Sequence, residues 1–241
     1  MSADKLIKAD VHLHTCLSPC ADITQSPKRV IKKVRENGFG LVFITDHNSM
    51  ANAEAAINAG KGFTELRIYP GMEITTREEI HVLSLFEKLE NALKTQEYIN
   101  NYLPDVYFDL ERQEQIIANE DDEIEGYYDK SLFSAVNLDL DEIIELVHGN
   151  KGIVIAAHID RQSFSIISQL GFIPERCELD ALEISPNLSL QEAKEIYNKY
   201  SLKYKFVKGS DSHSLNTIGC SFTEFCGKDN SFNSFYNFIN E

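Results

Sequence analysis

The chain has 241 residues, 43% of them hydrophobic, and a formal net charge of −15 at neutral pH. This length and composition predict one large α/β domain over residues 1–241 with a well-buried core. The excess of negative charge repels phosphate backbones, which argues against long nucleic acid as a partner. A small phosphorylated substrate remains compatible with it, because a bound metal cation inverts the charge locally.

The first fourteen residues, MSADKLIKADVHLH, contain no apolar run long enough for a signal peptide or a membrane span. The five cysteines are unevenly spaced and odd in number, which indicates a reducing compartment rather than a disulfide framework. We therefore expect a cytoplasmic protein without a membrane partner.

Short apolar runs alternate with helical patterns along most of the chain. Strands are predicted at residues 7–13, 40–46, 66–74, 79–86, 152–158, 181–185 and 205–211, with one more near 221–226. Helices are predicted at residues 26–38, 49–60, 88–103, 140–150 and 190–200, with an aromatic-rich last helix from about 231. This alternation favours parallel strands with crossover helices, arranged as a barrel or as a doubly wound open sheet.

Residues 104–138 break this rhythm. Between residues 105 and 130 there are ten acidic residues and two basic ones, which gives a net charge of −8 (two minus ten). We interpret the segment as an acidic surface insertion with its own short hairpin, and not as a second domain. On composition alone, a solvated loop is an equally good interpretation.

The stretch DVHLH at residues 10–14 carries the first chemical signal. On a strand, side chains two residues apart face the same side, so His12 and His14 project together, about 6–7 Å apart along the strand. Val11 and Leu13 then project the other way into apolar packing. Two imidazoles on one face can chelate one ion, although a lone H-x-H pair is also common as ordinary hydrogen-bonded histidines.

Further side chains that can bind metals follow in or at the ends of later predicted strands. They are Asp46, His47, Glu73, His81, His158, Asp211 and His213. Charged or imidazole groups after near-continuous apolar runs are costly to bury unless they converge on partners. Because the carboxyl ends of strands form the active face of α/β barrels and open parallel sheets, we predict a metal site at that face.

The nine candidates comprise six histidines and three carboxylates. This mixed nitrogen and oxygen set suits Zn²⁺, Mn²⁺ or Fe²⁺ better than Ca²⁺ or Mg²⁺ alone. A structural zinc site has four ligands, often cysteines, so nine candidates favour two or three divalent ions with open positions. A structural zinc site at Cys16 and Cys20 is the alternative, but it leaves the other candidates unexplained.

The order H-x-H, T-D-H, G-x-E, an isolated histidine, a further histidine and S-D-x-H resembles the PHP (polymerase and histidinol phosphatase) domain family from residue 10 to about residue 219. The resemblance implies a distorted (β/α)7 barrel with a metal cluster, usually trinuclear, at the C-terminal ends of the strands. It is closest in kind to stand-alone bacterial phosphoesterases, not to a polymerase.

The same resemblance implies roles for individual residues. A first metal is held by His12, His14, Glu73 and Asp211, and Glu73 bridges to a second metal held by His81 and His158. A third is held by His47 and His213, with Asp46 as a ligand or as an orienting residue. Many relatives place Asp or His five or six residues after the second histidine, where this chain has Pro19 and Cys20. Either Cys20 or Asp22 completes the third site, or the cluster is binuclear.

General metal chemistry then suggests a mechanism in which a metal-bridging hydroxide attacks phosphorus in line. The metals, organised by Glu73 and Asp211, offset charge in the transition state, and His213 is the candidate proton donor to the leaving group. Arg161 is the first candidate for binding phosphate and Arg77 the second. For each arginine the alternative is an ordinary surface ion pair.

These inferences predict a metal-dependent phosphoesterase that acts on a nucleotide, a histidinol-phosphate-like compound or a sugar phosphate. Two other classes stay open. The first is a non-catalytic metal-binding or regulatory protein that keeps the cluster. The second is hydrolysis at a centre other than phosphorus on an amidohydrolase-like barrel, for which the sequence offers no candidate carboxylated lysine.

Overall fold

The structure is a computed structural model that describes residues 4–106 and 114–241. The strands in these residues are β1 (Lys5–Leu13), β2 (Leu41–Ile44), β3 (Arg67–Thr75), β4 (His81–Phe86), β5 (Ile116–Ala118), β6 (Ile124–Tyr127), β7 (Gly152–Ala156), β8 (Ala181–Glu183), β9 (Lys205–Val207) and β10 (Thr223–Gly227). The helices are α1 (Pro27–Glu36), α2 (Ala53–Ala59), α3 (Leu89–Asn100), α4 (Leu140–Gly149), α5 (Ile166–Leu170), α6 (Leu190–Ile196), α7 (Asn198–Ser201) and α8 (Phe232–Asn240).

Eight strands form one sheet in the order β10-β1-β2-β3-β4-β7-β8-β9. The sheet curls until its two sides approach each other, since Leu13 at the end of β1 pairs with Ser212 beyond β9. There the Asp211 N–H donates to the His12 carbonyl at 2.9 Å. The result is a nearly closed barrel, with β10 antiparallel to β1. This confirms the predicted α/β barrel over the open doubly wound sheet.

Besides β10 at the end of the sheet, one strand inside the sheet runs in the opposite direction to its neighbours. β4 is antiparallel to both β3 and β7, because a short turn joins β3 to β4 as a hairpin. An antiparallel strand begins at the edge where its neighbours end. His81 is therefore the first residue of β4, at the same edge as Glu73 near the end of β3, and does not lie inside the strand as the sequence predicted.

The barrel interior is filled by apolar side chains from seven of the strands, including Val11, Phe43, Leu83 and Ile155. Helix α8 closes the edge where β3 begins, because Phe235 packs against Phe43 with ring centroids 5.6 Å apart. The Phe232 N–H in the same helix donates to the Tyr69 hydroxyl at 2.9 Å. Phe232, Phe235 and Ile239 form the buried face of this helix, which is the aromatic-rich last helix that the sequence predicted.

In β1, the alternation of side chains between the two faces of the sheet is interrupted near His12 and His14. The pairing of β1 with β2 shifts register between Asp10 and Leu13. Val11 consequently packs in the barrel interior, whereas Leu13 packs outside against α1. The prediction that Val11 and Leu13 share one face is wrong, because a register shift changes which face the following residue occupies.

The 104–138 segment contains the predicted hairpin, formed by β5 and β6. Its first strand packs on the loop after β1: the Ile116 N–H donates to the Cys16 carbonyl at 3.0 Å. Asn52 holds the same strand through its side-chain amide, which donates to the Ile116 carbonyl and accepts from the Ala118 N–H, both at 3.0 Å. Leu132 is buried against the main domain. Part of the segment, residues 107–113, lies outside the described residues.

Two further details differ from the predicted elements. The helix predicted over 190–200 is divided into α6 and α7, and the short helix α5 was not predicted. Within the described residues, no helix combines the length and the apolar character needed to cross a membrane.

Candidate metal centre

Eight of the nine predicted ligands converge at the edge of the barrel where the parallel strands end. Glu73, which is 1% exposed, lies within 3.4 Å of a ring nitrogen of five of the histidines. The eight residues are His12, His14, His47, Glu73, His81, His158, Asp211 and His213. Strand β1, the β3–β4 hairpin and the loops after β1, β2, β7 and β9 carry them, so the convergence depends on the closed sheet.

The first group joins the H-x-H pair to Glu73 and Asp211. The Nε2 atoms of His12 and His14 lie 3.2 Å apart. Glu73 Oε2 lies 3.3 and 3.4 Å from these two atoms, and Asp211 Oδ1 lies 3.5 and 3.2 Å from them. Atoms bound to one ion at about 2.0–2.2 Å are separated by about 3–3.6 Å. The four atoms therefore fit the inner sphere of one divalent ion.

The remaining ring nitrogens of this pair are held by buried acceptors. His12 Nδ1 lies 3.0 Å from Glu183 Oε2, and a carboxylate can only accept from it. His14 Nδ1 lies 2.9 Å from the Ser18 hydroxyl, which donates its own proton to Asp46 Oδ1 at 2.6 Å. Both Nδ1 atoms thus carry hydrogen, which leaves both Nε2 lone pairs directed at the shared position.

Asp46 does not face the shared position of the first group but hydrogen-bonds to residues that support it. Its Oδ1 accepts from the Thr15 N–H at 2.6 Å, and its Oδ2 accepts from the Thr15 hydroxyl at 2.7 Å. With Ser18 also donating, both oxygens of Asp46 are occupied. Of the two roles considered for Asp46, this geometry supports the orienting one.

A second group surrounds the other side of Glu73. Its Oε1 lies 2.7 Å from His81 Nδ1 and 3.2 Å from His158 Nε2, while Oε2 lies 3.1 Å from His47 Nδ1. The Nδ1 atoms of His47 and His81 are buried without a partner in hydrogen-bond geometry. Close approach without that geometry is expected of atoms that share a cation rather than a proton. The donor set therefore fits a second ion bridged by Glu73.

A third group consists of His14, His47 and His213. The His14 ring lies 4.8 Å from the His47 ring and 4.7 Å from the His213 ring, between centroids. His213 Nδ1 donates to the Asp211 carbonyl at 2.8 Å, which leaves its Nε2 available as a ligand atom.

The two candidates for completing the third group are placed differently. Cys20 is partly buried beside the cluster, and its burial together with the negative charges of Glu73 and Asp211 raises the pKa of the thiol. Asp22 is exposed, and its Oδ1 accepts from the Thr24 N–H at 2.8 Å. Neither belongs to the three ligand groups found among the described residues.

At Glu73, His47 and His213 the electrostatics favour the protonation states that bind cations. Burial opposes ionisation of Glu73, but His81, His12 and His47 outweigh it and hold the pKa of this carboxyl well below its ordinary value. Burial lowers the pKa of His47 well below its ordinary value and that of His213 to about 4. Glu73 is thus an anion and both rings are neutral at pH 7, as metal ligation requires.

The two candidate arginines are separated by the structure. Arg161 is partly exposed at the rim, where its guanidinium contacts Asp211. Arg77 is exposed and its guanidinium pairs with Asp139, 2.9 Å away, at the start of α4. Arg161 is therefore at the metal centre, whereas Arg77 is engaged in the surface ion pair considered as its alternative.

Sequence reasoning missed three residues that support the ligands. Glu183, 1% exposed, holds His12 through its side chain and accepts from the His158 N–H at 3.0 Å. Asp10 accepts from the His12 and Ser210 N–H groups at 3.2 and 2.8 Å, and burial raises its pKa to about 7. An acidic residue inside an apolar strand, as in ADVHL and ALEIS, was the available signal.

Gly209 is the third of these residues. A Cβ at this position would lie 2.5 Å from the Cβ of His12 and 2.8 Å from Glu183 Oε1. Only glycine allows the chain after β9 to pass close enough to His12 for Asp211 to reach it.

A family model for the PHP domain matches residues 10–201. The match spans most of the chain and includes the ligands up to His158, and the chain belongs to the PHP domain family. The members of this family are metal-dependent hydrolases, which agrees with the His and Glu groups described above.

The chain is similar to the lesion-specific endonuclease PfuEndoQ from Pyrococcus furiosus, with a TM-score of 0.76 and 17% identity over 98% of this chain and 56% of that one. It is also similar to a protein from Bifidobacterium adolescentis assigned as a metal-dependent phosphoesterase, with a TM-score of 0.64 and 17% identity over 95% of this chain and 94% of that one. The uncharacterized protein MJ1587 of Methanocaldococcus jannaschii is 31% identical over 102 residues, which is 39% of this chain and 59% of that protein. The structural similarities confirm the barrel fold, and the chain spans little more than half of the endonuclease and of the Methanocaldococcus relative.

Proposed function

We propose that this protein is a phosphoesterase that hydrolyses small phosphate esters at a cluster of two or three divalent zinc, manganese or iron ions. The observation that carries the proposal is Glu73, a buried carboxylate whose two oxygens face different groups of histidine nitrogens. In this assignment His12, His14, Glu73 and Asp211 hold one ion, and Glu73, His81 and His158 hold another. A third is held by His47 and His213, with Cys20 beside them.

When bound, such ions supply Lewis acidity and lower the pKa of water. The chain itself contributes position and charge. Glu183 and the Ser18–Asp46 pair hold the His12 and His14 rings in one orientation. Arg161 stands at the rim, where its guanidinium can pair with phosphate oxygens. Because the pKa of His213 is lowered to about 4, a ligand role suits it better at neutral pH than that of proton donor.

Small substrates are favoured by the charge of the molecule. The net charge of −15 disfavours the long polyanion that a DNA duplex presents. The hairpin residues Asp121 and Asp122 also lie close to the loop that follows the H-x-H pair, through contacts with Lys28 and Ser26. The endonuclease from Pyrococcus furiosus acts on lesions, so duplex DNA with an abasic site is a necessary comparison in the test.

The test combines metal content with hydrolysis. Purified protein is analysed for metal per chain and assayed with an aryl phosphate, an aryl ester and lesion-containing duplex DNA, with added Mn²⁺ or Zn²⁺. We expect two or more ions per chain and turnover of the phosphate, both lost in the double variant His12→Ala, Glu73→Ala. The matched control is His148→Ala, Glu145→Ala, which removes the same residue types from α4, outside the cluster.

Each contrary outcome identifies another function. About one ion per chain with no turnover favours the non-catalytic, metal-binding alternative. Turnover of the carboxyl ester alone favours hydrolysis at a centre other than phosphorus, and cleavage of the duplex alone replaces the small substrate with DNA.

A further inference from the structure

Exposed phenylalanine side chains lie next to the candidate metal centre. In the described part of the chain, three phenylalanines are at least 40% exposed: Phe133 at 46%, Phe164 at 40% and Phe172 at 54%. The Phe133 ring lies 5.9 Å from the His47 ring, and the Phe164 ring stacks on the His81 ring at 4.6 Å with an angle of 18°. Two of the three thus contact histidines of the cluster, although exposure of a large aromatic ring to water is unfavourable.

Phe133 is held in place from both sides. The side-chain amide of Asn48, the residue after His47, donates to the carbonyls of Leu132 and Ser134, both at 2.9 Å. Its oxygen accepts from the Thr75 N–H at 3.0 Å, and Asn48 itself has a φ of +45°. The backbone on either side of Phe133 is therefore tied to the segment that carries His47. The acidic insertion therefore presents the Phe133 ring on a backbone that hydrogen bonds hold at the site.

Phe164 is fixed by a different set of bonds. Its carbonyl accepts from the His81 N–H at 2.8 Å, and its φ is +56°, a left-handed value that is strained for a phenylalanine. The next residue, Ser165, caps α5 in a capping box with Ser168. Backbone strain of this kind persists where the surrounding structure enforces it, and it is concentrated at binding sites.

We propose that Phe133 and Phe164 form an aromatic platform that stacks on a planar ring in the alcohol part of the substrate. This inference rests on the proposed phosphoesterase function and narrows its substrate class to esters such as nucleotides, over sugar phosphates. Both rings contact histidines of the cluster and remain at least 40% exposed, so each presents a free face beside the proposed phosphate site. Stacking of a base on an aromatic side chain contributes about 1–3 kcal/mol, which corresponds to about a 5- to 150-fold change in affinity.

Adenosine 5′-monophosphate and ribose 5-phosphate test the platform, because both are phosphate esters of the primary 5-hydroxyl of ribose and only the first carries a base. The zinc-loaded protein is assayed with both for kcat/KM. It is also titrated by calorimetry with the non-hydrolysable methylenephosphonate analogues of both. We expect the nucleotide to be preferred about tenfold or more in both measurements, and Phe133→Ala and Phe164→Ala to lose most of that preference while ribose 5-phosphate changes little.

Three controls separate the platform from a structural role. Phe172→Ala removes an equally exposed ring away from the cluster and should leave the preference unchanged. Phe133→Tyr and Phe164→Tyr keep an aromatic face and should restore it. Metal per chain, measured for every variant, should stay at the wild-type value, because neither phenylalanine is a ligand.

The outcomes distinguish this inference from the function on which it rests. Absence of hydrolysis with a retained, phenylalanine-dependent preference in binding overturns the phosphoesterase and supports the platform. If both compounds are hydrolysed with no preference for the nucleotide, the platform is overturned and the phosphoesterase function is retained. The same conclusion follows if the preference persists in both alanine variants. A variant that loses metal shows that its ring supports the cluster, and this also counts against the platform.

Discussion

At the scale of single residues, the site depends both on the candidate ligands and on the residues that hydrogen-bond to them. His12 is surrounded by three carboxylates, and only one of them, Glu183, faces its Nδ1 atom. Burial opposes protonation of this ring, but Glu183, Asp211 and Glu73 outweigh it and raise the pKa of His12 well above its ordinary value. A cation in the first group would replace that proton, so metal binding and proton release are coupled at His12.

The substitution Glu183→Gln tests the positioning of His12. Glutamine keeps the shape of the side chain and removes the charge that stabilises the Nδ1–H of the ring. We expect metal affinity to fall by about 10- to 100-fold, the usual effect of removing a carboxylate that supports a ligand histidine. Competition with a chromophoric chelator measures it directly. Glu178→Gln, at an exposed position shortly before β8, is the control, and equal affinities in the two variants would show that His12 is positioned without Glu183.

At the scale of elements, the reversed strand β4 accounts for how one carboxylate meets so many histidines. Because β3 and β4 form a hairpin, Glu73 and His81 lie on adjacent strands at the same edge. The register of the hairpin is fixed by its pairs, from Gly71 with Leu85 to Thr75 with His81. A parallel β4 would have placed His81 at the opposite edge, beside α8.

A second contact between elements lies away from the metal centre. His148 lies in the last turn of α4, and Asp180 directly precedes β8. The Nε2 atom of His148 lies 2.9 Å from Oδ2 of Asp180. This hydrogen bond raises the pKa of His148 above its ordinary value. Protonated His148 therefore stabilises the fold. The contribution is complete below the unfolded-state pKa of about 6.5 and is lost as the pH rises through the higher folded-state pKa.

The substitution His148→Gln should consequently destabilise the protein in a pH-dependent manner. Urea unfolding should show a loss of a few tenths to about 1 kcal/mol at pH 5.5, the range for partly exposed pairs, and a smaller loss at pH 9. The difference between variant and wild type is compared at each pH, so that titration of other groups cancels. An equal loss at both pH values would mean that the Asp180 contact does not depend on the charge of His148.

At the scale of the whole molecule, net negative charge and a buried cation site are complementary. The chain carries 38 acidic and 23 basic residues, and Glu73 and Asp211 are buried among histidines at one edge of the barrel. Divalent ions reduce the repulsion between these carboxylates. Ions that bind the folded chain alone also stabilise it by mass action, by about 3–4 kcal/mol at 100 to 1,000 times the dissociation constant.

Removal of metal should therefore lower the melting temperature. For a chain of this size we expect a fall of about 5–15 °C after treatment with a chelator, and recovery when Zn²⁺ or Mn²⁺ is restored. Thermal unfolding followed by circular dichroism gives the value, with metal analysis before and after. A melting temperature that does not change, once the metal is shown to be gone, would contradict a cluster that binds only the folded state.

The sequence by itself predicted the candidate ligands as a set and determined the class of fold. His12, His14, His47, Glu73, His81, His158, Asp211 and His213 could be found because each interrupts or follows an apolar run, and burial of such groups requires partners. The alternation of strands and helices predicted a largely parallel α/β sheet, either closed as a barrel or open and doubly wound, because parallel strands require crossover connections. The resemblance to the PHP family then favoured the barrel.

Only the tertiary structure decided which atoms face one another. The direction of β4 depends on a short turn and not on periodicity, and the register shift in β1 leaves no mark in the hydrophobic pattern. The supporting roles of Asp46, Glu183 and Gly209 depend on distances between segments that are far apart in the chain. The position of Phe133 beside His47 is equally non-local, because the contacts of the insertion with Asn48 join residues that are far apart in the chain.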